Sequence, residues 1–443
     1  MNSNTQFNLR SYQYKDFPEL ISALFNVKEA ALRACLKLNR FPKNELELLL
    51  RACEKARKEK EWKHLQISVY AGARDYLLQA IDKEIISNTG IVEQGLVQKL
   101  ETILVKCAST NAFVITANEI VIRKNLFKLA QACHRFAEIL EIKAHEFENT
   151  VKMGRLGLQD YLPMTLGEEF YGYAFGIRKL EKNLEEKAQD FHFNAIGISD
   201  MGNLSCYDEI LEKESTLSLS ELCAYQWVPF ENAFDAVMDS SRLLTAHALI
   251  QAVSTALWRV ARDVRMMCSG PRAGLQEITV PAVAPGSSIM PGKLNPVIAE
   301  MVFTTVDQVD ANHSGLTMAQ KSGWLEGNHA SFIPIRSIMN SADLLARTMD
   351  AFGKLCIKGI TVNTEHNRLH AEQSLALTKV LSLFIGNEAA QKVYQLAKEE
   401  GLTIKEAALK LSLLDQTVLN EILDIDRLAK PKEVQKLLAK YAK

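Results

Sequence analysis

Between Pro42 and Pro163 the chain has no proline, yet Pro271, Pro281, Pro285, Pro291 and Pro296 crowd into one short stretch. Proline lacks a backbone donor and its ring clashes with the preceding turn, so it kinks or breaks any helix interior it occupies. A long proline-free run therefore permits long helices, and a crowd of prolines forbids them. Glycine is sparse too: 21 Gly and 11 Pro in 443 residues are roughly 5% and 2.5%, against average usage of about 7% and 5%. Such a chain is expected to be all-α along most of its length and irregular around residues 271–296.

At 443 residues the chain exceeds one ordinary domain, so two or three packed units with an ample core are expected. Lys+Arg total 52 against 53 Asp+Glu, a net charge of −1, which removes the electrostatic case for a nucleic-acid partner. No run of about 18 apolar residues exists. Even Ala246–Val264 is broken by His247, Gln251, Arg259 and Arg262, so no membrane partner is expected. Met1–Tyr12 is polar and has no secretory-signal pattern. The eight cysteines, at 35, 53, 107, 133, 206, 223, 268 and 356, form no CxxC and no close pair. That scatter reads as reduced thiols in a cytoplasmic protein, without a structural zinc site.

Apolar residues recur at helical spacing over Val27–Asn39 and Asn44–Lys63, through Leu46, Leu49, Cys53 and Ala56. The charge run Lys55–Lys63 fits a solvated helix face. Val97–Phe147 is a second helix-rich block with a less regular piece at Cys107–Asn111, and Leu166–Gln189 is again helical. Phe230–Met267 has neither Gly nor Pro and predicts a helical stretch far longer than the average of about 11–12 residues, of the kind found in bundle cores. The tail from Ser374 is helical and mixed in charge, with Lys430, Lys432, Lys436, Lys440 and Lys443 at a basic, solvated end. A boundary is expected near Val362–Thr364; with the family resemblance given below, the expected domains are an N-terminal helical domain (1–107), a central long-helix bundle (108–364) and a small C-terminal helical domain (365–443).

The proline-rich stretch holds the residues most able to carry chemistry. Gly286 and Gly292 bracket Ser287 and Ser288, with Lys293 and Leu294 following. A phosphate-binding P-loop needs four residues between its glycines and Ser or Thr after the lysine. Here there are five, and Leu294 follows. The glycines instead suit a mobile loop presenting a hydroxyl to a ligand. Lys293 supplies a cation for a carboxylate. Asn295 before Pro296 is the favoured order for a helix cap followed by proline at the first helical position. That helix would aim its positive end at the same anion, and Glu300, seven residues after Lys293, would face back toward the loop. An ordinary Gly-Ser connector with an exposed lysine fits the same spacing.

The stretch Pro285-Gly-Ser-Ser-Ile-Met-Pro-Gly-Lys-Leu-Asn-Pro296 resembles the signature of the class II fumarase/aspartase superfamily. Lys152-Met-Gly-Arg155 with Leu158–Phe170 resembles the aspartase version of a second family block, Ser269–Ile278 the run into the signature, and Leu355–Asn363 the end of the helical domain. The likeness spans roughly residues 30 to 425. It implies a three-domain all-α fold with a central bundle, a homotetramer, and active sites shared between subunits. It also implies a small dicarboxylate or amino-acid substrate and no organic cofactor, and no metal-ligating residues are picked out. The reaction implied is reversible anti elimination from a succinyl-type acid, commonly giving fumarate. By this resemblance Ser287 is the catalytic base. Lys293 and Asn295 bind the substrate carboxylate, Ser288 touches the other carboxylate, and Glu300 stands behind these ligands. Ser109, Thr110 and Asn111 resemble a block that contacts a carboxylate and the leaving group. As an isolated tripeptide the same residues suit a plain helix cap.

Several positions depart from the family pattern. After Gly154-Arg155 the family places Thr and then His or Gln, both polar substrate contacts, where this chain has Leu156 and Gly157. Losing one hydrogen bond to a charged ligand costs about 1.5–3 kcal/mol, roughly ten- to hundredfold. Ala112 stands where the Ser109 block ordinarily has Asp, and the N-terminal Thr block is replaced by Ser68–Tyr76, with Arg74 and Tyr76 as substitutes or surface. His313 and His329 read as structural or surface residues. Leu158-Gln159-Asp160 and Pro163–Leu166 favour an ammonia-lyase acting on L-aspartate or a relative. Fumarate hydratase or another C–X lyase, and a catalytically silent tetramer, are the alternatives.

Overall fold

The computed structural model describes residues 18–59, 62, 73–198, 208–238, 241–284, 286, 289–325, 327 and 333–441. In chain order the elements are α1 (Pro18–Lys37), α2 (Lys43–Glu59), α3 (Ala73–Thr89), α4 (Gln94–Lys106), α5 (Thr110–Glu146), β1 (Val151–Leu156), β2 (Gln159–Thr165), α6 (Leu166–Gln189) and β3 (Phe193–Asn194). There follow α7 (Glu209–Cys223), β4 (Val228–Pro229), α8 (Ala233–Met238), α9 (Ser241–Met267), β5 (Ile278–Thr279), α10 (Val297–Gln320), α11 (Ile333–Leu355), β6 (Thr361–Val362) and α12 (Thr364–Gln373). The chain ends in α13 (Thr378–Ile385), α14 (Asn387–Glu400), α15 (Ile404–Lys410), α16 (Gln416–Ile422), α17 (Ile425–Leu428) and α18 (Pro431–Tyr441). The fold is all-α, with three small two-stranded pairs among the described residues. No single described helix is long and apolar enough to cross a membrane.

Two compact units emerge. The first takes Met1–Ala130, Lys182–Ala252 and Asp307–Leu345; the second takes Gln131–Glu181, Val253–Val306 and Ala346–Lys443. In the first unit α1 is buried on most of its surface, from Leu20 to Cys35, and packs against α2 and α7. A helix apolar nearly all round must lie inside a core. Its one buried cation, Lys28, is neutralised by Asp82 at 2.8 Å and donates to the Leu104 carbonyl at 2.9 Å. In the second unit the C-terminal helices close a core around Leu381, Val393, Ile404, Leu419 and Leu437. A smaller cluster of Val151, Met153, Ala371, Ile425 and Ala429 seats β1 on α12 and α17.

Helix boundaries follow capping chemistry. The Asp208 carboxylate accepts from the Leu211 N–H at 3.0 Å and starts α7, and Thr403 with Glu406 forms a full capping box at α15. Within the stretch expected to be helical over Phe230–Met267 the described helices are α8 and α9, and residues 239 and 240 between them lie outside the described residues. The helix begins at Ala233, not Phe230, because Asn232 caps α8 by accepting from the Asp235 N–H at 3.0 Å.

Candidate active site

The chain leaves helical geometry after Met267 and regains it at Val297. The root of this excursion is held by β5, which pairs antiparallel with β6, Ile278 opposite Val362. Further along, Met290-Pro291-Gly292-Lys293 forms a turn in which the Lys293 N–H donates to the Met290 carbonyl at 3.3 Å and Gly292 takes φ +79°. Proline second and a left-handed glycine third is the type II arrangement. Gly286 lies so close that a Cβ there would collide with the Lys293 carbonyl. The two ends of the loop therefore touch, and Lys293 and Asn295 emerge next to α10, both exposed.

Helix α10 starts one residue later than the cap reading of Asn295 implies. The Pro296 carbonyl accepts from the Glu300 N–H at 3.1 Å and so occupies the cap position, while the Asn295 carbonyl accepts from Val297 N–H at 2.9 Å. The unpaired N–H groups of the first turn still make this end positive, which favours a carboxylate near Lys293. Glu300 does not fold back to the loop. Its Oε1 pairs with Arg265 of α9 at 3.2 Å. Ser287, Ser288 and Pro285 lie outside the described residues, as do Asn328 and His329 and the side chains of Arg74 and Tyr76.

Ser109, Thr110 and Asn111 sit in the first unit at the start of α5. The Ser109 hydroxyl accepts from the Ala112 N–H at 3.1 Å, which makes it the cap of that helix. The same hydroxyl donates to the Ile198 carbonyl at 3.5 Å. Asn111 is buried and Thr110 half-buried. Ala112, standing where the family block has Asp, packs with Ala236, Val237 and Phe230 in a small apolar cluster. An open cleft bounded by Phe193, Phe230, Asn232, Asp235 and Arg242 lies against that cluster. Arg242 is clamped by Glu119, at 2.8 and 3.0 Å, and burial pushes the Glu119 carboxyl up against the pull of that guanidinium. Lys293, Asn295 and Glu300 belong to the second unit.

Leu156 and Gly157 end the β1–β2 hairpin. Leu156 faces Gln159 across a two-residue turn in which Gly157 and Leu158 have φ +59° and +63°. Positive φ at both central positions defines the type I′ hairpin turn, so Gly157 answers a backbone requirement. Leu156 is 70% exposed. Three histidine and acid constellations escape sequence reading. His313 meets His247, with the two Nδ1 atoms 3.1 Å apart, and His247 Nε2 lies 3.0 Å from the Ser341 hydroxyl. Tyr173 donates within reach of both Glu169 and Asp263, at 3.0 and 3.1 Å. Lys152 is buried between Glu169 and Glu277. Lys152, Glu277 and His313 were noted in the sequence, but nothing in the sequence signals which partner each one meets. No group of three or more His, Cys, Asp or Glu able to hold a metal occurs among the described residues.

Comparison with known proteins gives a consistent pattern. Residues 2–310 match the family model described as lyase, and residues 380–430 match the fumarase C C-terminus. Aspartate ammonia-lyase of Escherichia coli (strain K12) is 29% identical over 96% of this chain and 90% of its own. Class II fumarate hydratase of Bacillus anthracis is 30% identical over 94% and 91%. A Brucella melitensis crystal structure described as fumarate lyase:delta crystallin, bound to cobalt, superposes with TM-score 0.91 at 30% identity, covering 96% of this chain and 94% of that one. The class II fumarase of Schistosoma mansoni shares the fold at TM-score 0.87 and 24% identity, over 94% and 91%.

Proposed function

The chain belongs to the aspartase/fumarase lyase superfamily, and from that premise we propose that it is an ammonia-lyase acting on L-aspartate or a related amino acid. The observation that supports this most is the loop itself. A proline-glycine turn and the Gly286 contact deliver Lys293 and Asn295 together to the positive end of α10. In the proposed reaction these two residues hold the carboxylate beside the carbon that loses its proton. Ser287 takes that proton as an alkoxide, a role a serine fills only among cations and N–H donors and away from water. Negative charge then builds on the carboxylate as an aci-carboxylate, where Lys293 and the helix end stabilise it. The C–N bond breaks on the opposite face, the C=C bond forms, and ammonia and fumarate leave. Ser109, Thr110 and Asn111 contact the second carboxylate and the leaving amine in this reading. Catalysis proceeds in a homotetramer, where chains complete one another's sites.

The hairpin favours a second reading. With Leu156 exposed and Gly157 committed to a turn, the polar pair expected there is missing, which favours a relative of aspartate as substrate, or water in place of ammonia as leaving group, as the second reading. One assay separates these: purified protein with L-aspartate, L-malate and substituted succinates, fumarate or its analogue followed by ultraviolet absorbance, and assembly followed by light scattering. Fumarate from aspartate, abolished by Ser287→Ala, is the expected result. Product from malate alone moves the assignment to the hydratase. No product from any acid by an intact tetramer overturns both.

A further inference from the structure

One buried charged cluster has no part in the chemistry above. On β1, Lys152 and Arg155 both reach the carboxylate of Glu277: Lys152 Nζ lies 2.8 Å from Oε2, and Arg155 Nη1 donates to Oε1 at 2.6 Å. The Lys152 and Glu277 side chains are 4% and 3% exposed. Residues three apart on a regular strand point to opposite faces. These two nevertheless meet on Glu277, on either side of an irregular step in the ladder: Met153 faces Pro163 but Arg155 faces Asp160, which leaves Tyr161 and Leu162 of β2 opposite Gly154. Such a bulge, here with its extra residue on β2, increases the local twist of the pair. Gly154 permits it, since a Cβ there would lie 2.7 Å from the Leu162 carbonyl oxygen. Lys152 also pairs with Glu169 of α6 at 2.7 Å.

Glu277 immediately precedes β5 and so sits at the root of the stretch that carries Lys293 and Asn295. Its backbone is gripped as firmly as its side chain. The N–H donates to the Met267 carbonyl at 2.8 Å, and its own carbonyl accepts from Asn363 N–H and Asn367 Nδ2, each at 3.1 Å. Arg155, for its part, is one residue from Leu156 and the hairpin turn. Burying two cations with a carboxylate is seldom better for stability than apolar packing of equal volume. What such a pairing adds is direction, because charge-assisted bonds to a carboxylate fix orientation as well as distance.

We infer that the Gly154 bulge, Lys152, Arg155 and Glu277 form a clamp that fixes the root of the Gly286–Lys293 loop to the β1–β2 hairpin, with Glu277 as the positioning residue for Lys293 and Asn295. The inference rests on the reading of that loop as a carboxylate site. Hydrogen exchange followed by mass spectrometry on the full chain tests the clamp directly. Glu277→Gln is expected to speed exchange over residues 281–296 at least tenfold while α1 and α14 stay unchanged. Gly154→Ala removes no charge and is expected to reproduce the effect. Arg155→Lys should lie closer to wild type than Arg155→Met.

In the aspartate assay Glu277→Gln is expected to raise KM as well as lower kcat, each tenfold or more. A merely destabilised protein has fewer working molecules and so a lower kcat with KM unchanged. Unaltered exchange at 281–296, exchange that rises evenly over every helix, or a kcat loss without a KM change would each overturn the clamp. If wild-type protein forms no fumarate, the proposed function fails, and the exchange experiment alone decides the clamp.

Discussion

Lys293 and Asn295 owe their placement to the glycines around them more than to contacts of their own. Replacing Lys293 by Met removes the cation and leaves the turn intact. Activity on aspartate is expected to fall ten- to hundredfold, the worth of about 1.5–3 kcal/mol for a hydrogen bond to a charged group, with KM rising most. Gly286→Ala keeps every polar group and forces the loop ends apart at the Lys293 carbonyl. Its kcat/KM is expected to drop at least as far, with far-ultraviolet circular dichroism unchanged. Wild-type kinetics in either variant would remove the loop from the site. The turn was legible in the sequence because Pro and Gly carry their backbone geometry with them; the cap at Asn295 and the direction of Glu300 were not. The pairing of His313 with His247, or of Lys152 with Glu277, was not. Each joins segments far apart in sequence, and only helix packing and a strand bulge decide that they meet.

At the scale of elements, α6 appears with the bounds Leu166–Gln189 that its periodicity indicates, and the break between α4 and α5 falls within the irregular Cys107–Asn111 piece. Apolar spacing, a serine cap and a dense charge pattern agree there. The β1–β2 hairpin had no such agreement, since its turn is Gly157-Leu158 and lacks the usual Asn-Gly or Asp-Gly signal. Leu158 sits at φ +63°, a region that costs a side chain with a Cβ roughly 1–2 kcal/mol. Leu158→Gly relieves this, against about 0.5–1 kcal/mol of added freedom in the unfolded chain. A net gain of about 0.5–1 kcal/mol is expected, read as a thermal midpoint higher by about 1–2 °C in so long a chain. A midpoint that falls would mean the exposed Leu158 side chain is packed in the assembled protein.

For the whole molecule, His247 makes stability depend on pH. Its side chain is fully buried on α9. Burial first, and then the neighbouring His313 imidazole, push its pKa down from the ordinary 6.5 to about 4, against weaker pulls upward from backbone hydrogen bonds at Ser337 and His247 and from Asp310. The Nδ1···Nδ1 contact explains the direction: one ring must donate and the other accept, so two imidazolium rings cannot keep it. A depressed pKa means that the unfolded chain binds this proton near pH 6.5 while the folded chain refuses it until about pH 4. The contribution is therefore complete above pH 6.5, shrinks as pH falls, and is gone below about 4. At one proton the slope is about 1.4 kcal/mol per pH unit, so a window from 6.5 to about 4 amounts to roughly 3–4 kcal/mol. Carboxylates titrate in the lower part of the same window, so the comparison must be between proteins. Thermal midpoints measured from pH 4 to 8 for wild type and His247→Gln should differ most at pH 7 to 8 and converge on acidification, because the variant has no imidazole to protonate. Parallel curves, separated by the same amount at every pH, would show that His247 takes up its proton as readily in the folded chain as in the unfolded one.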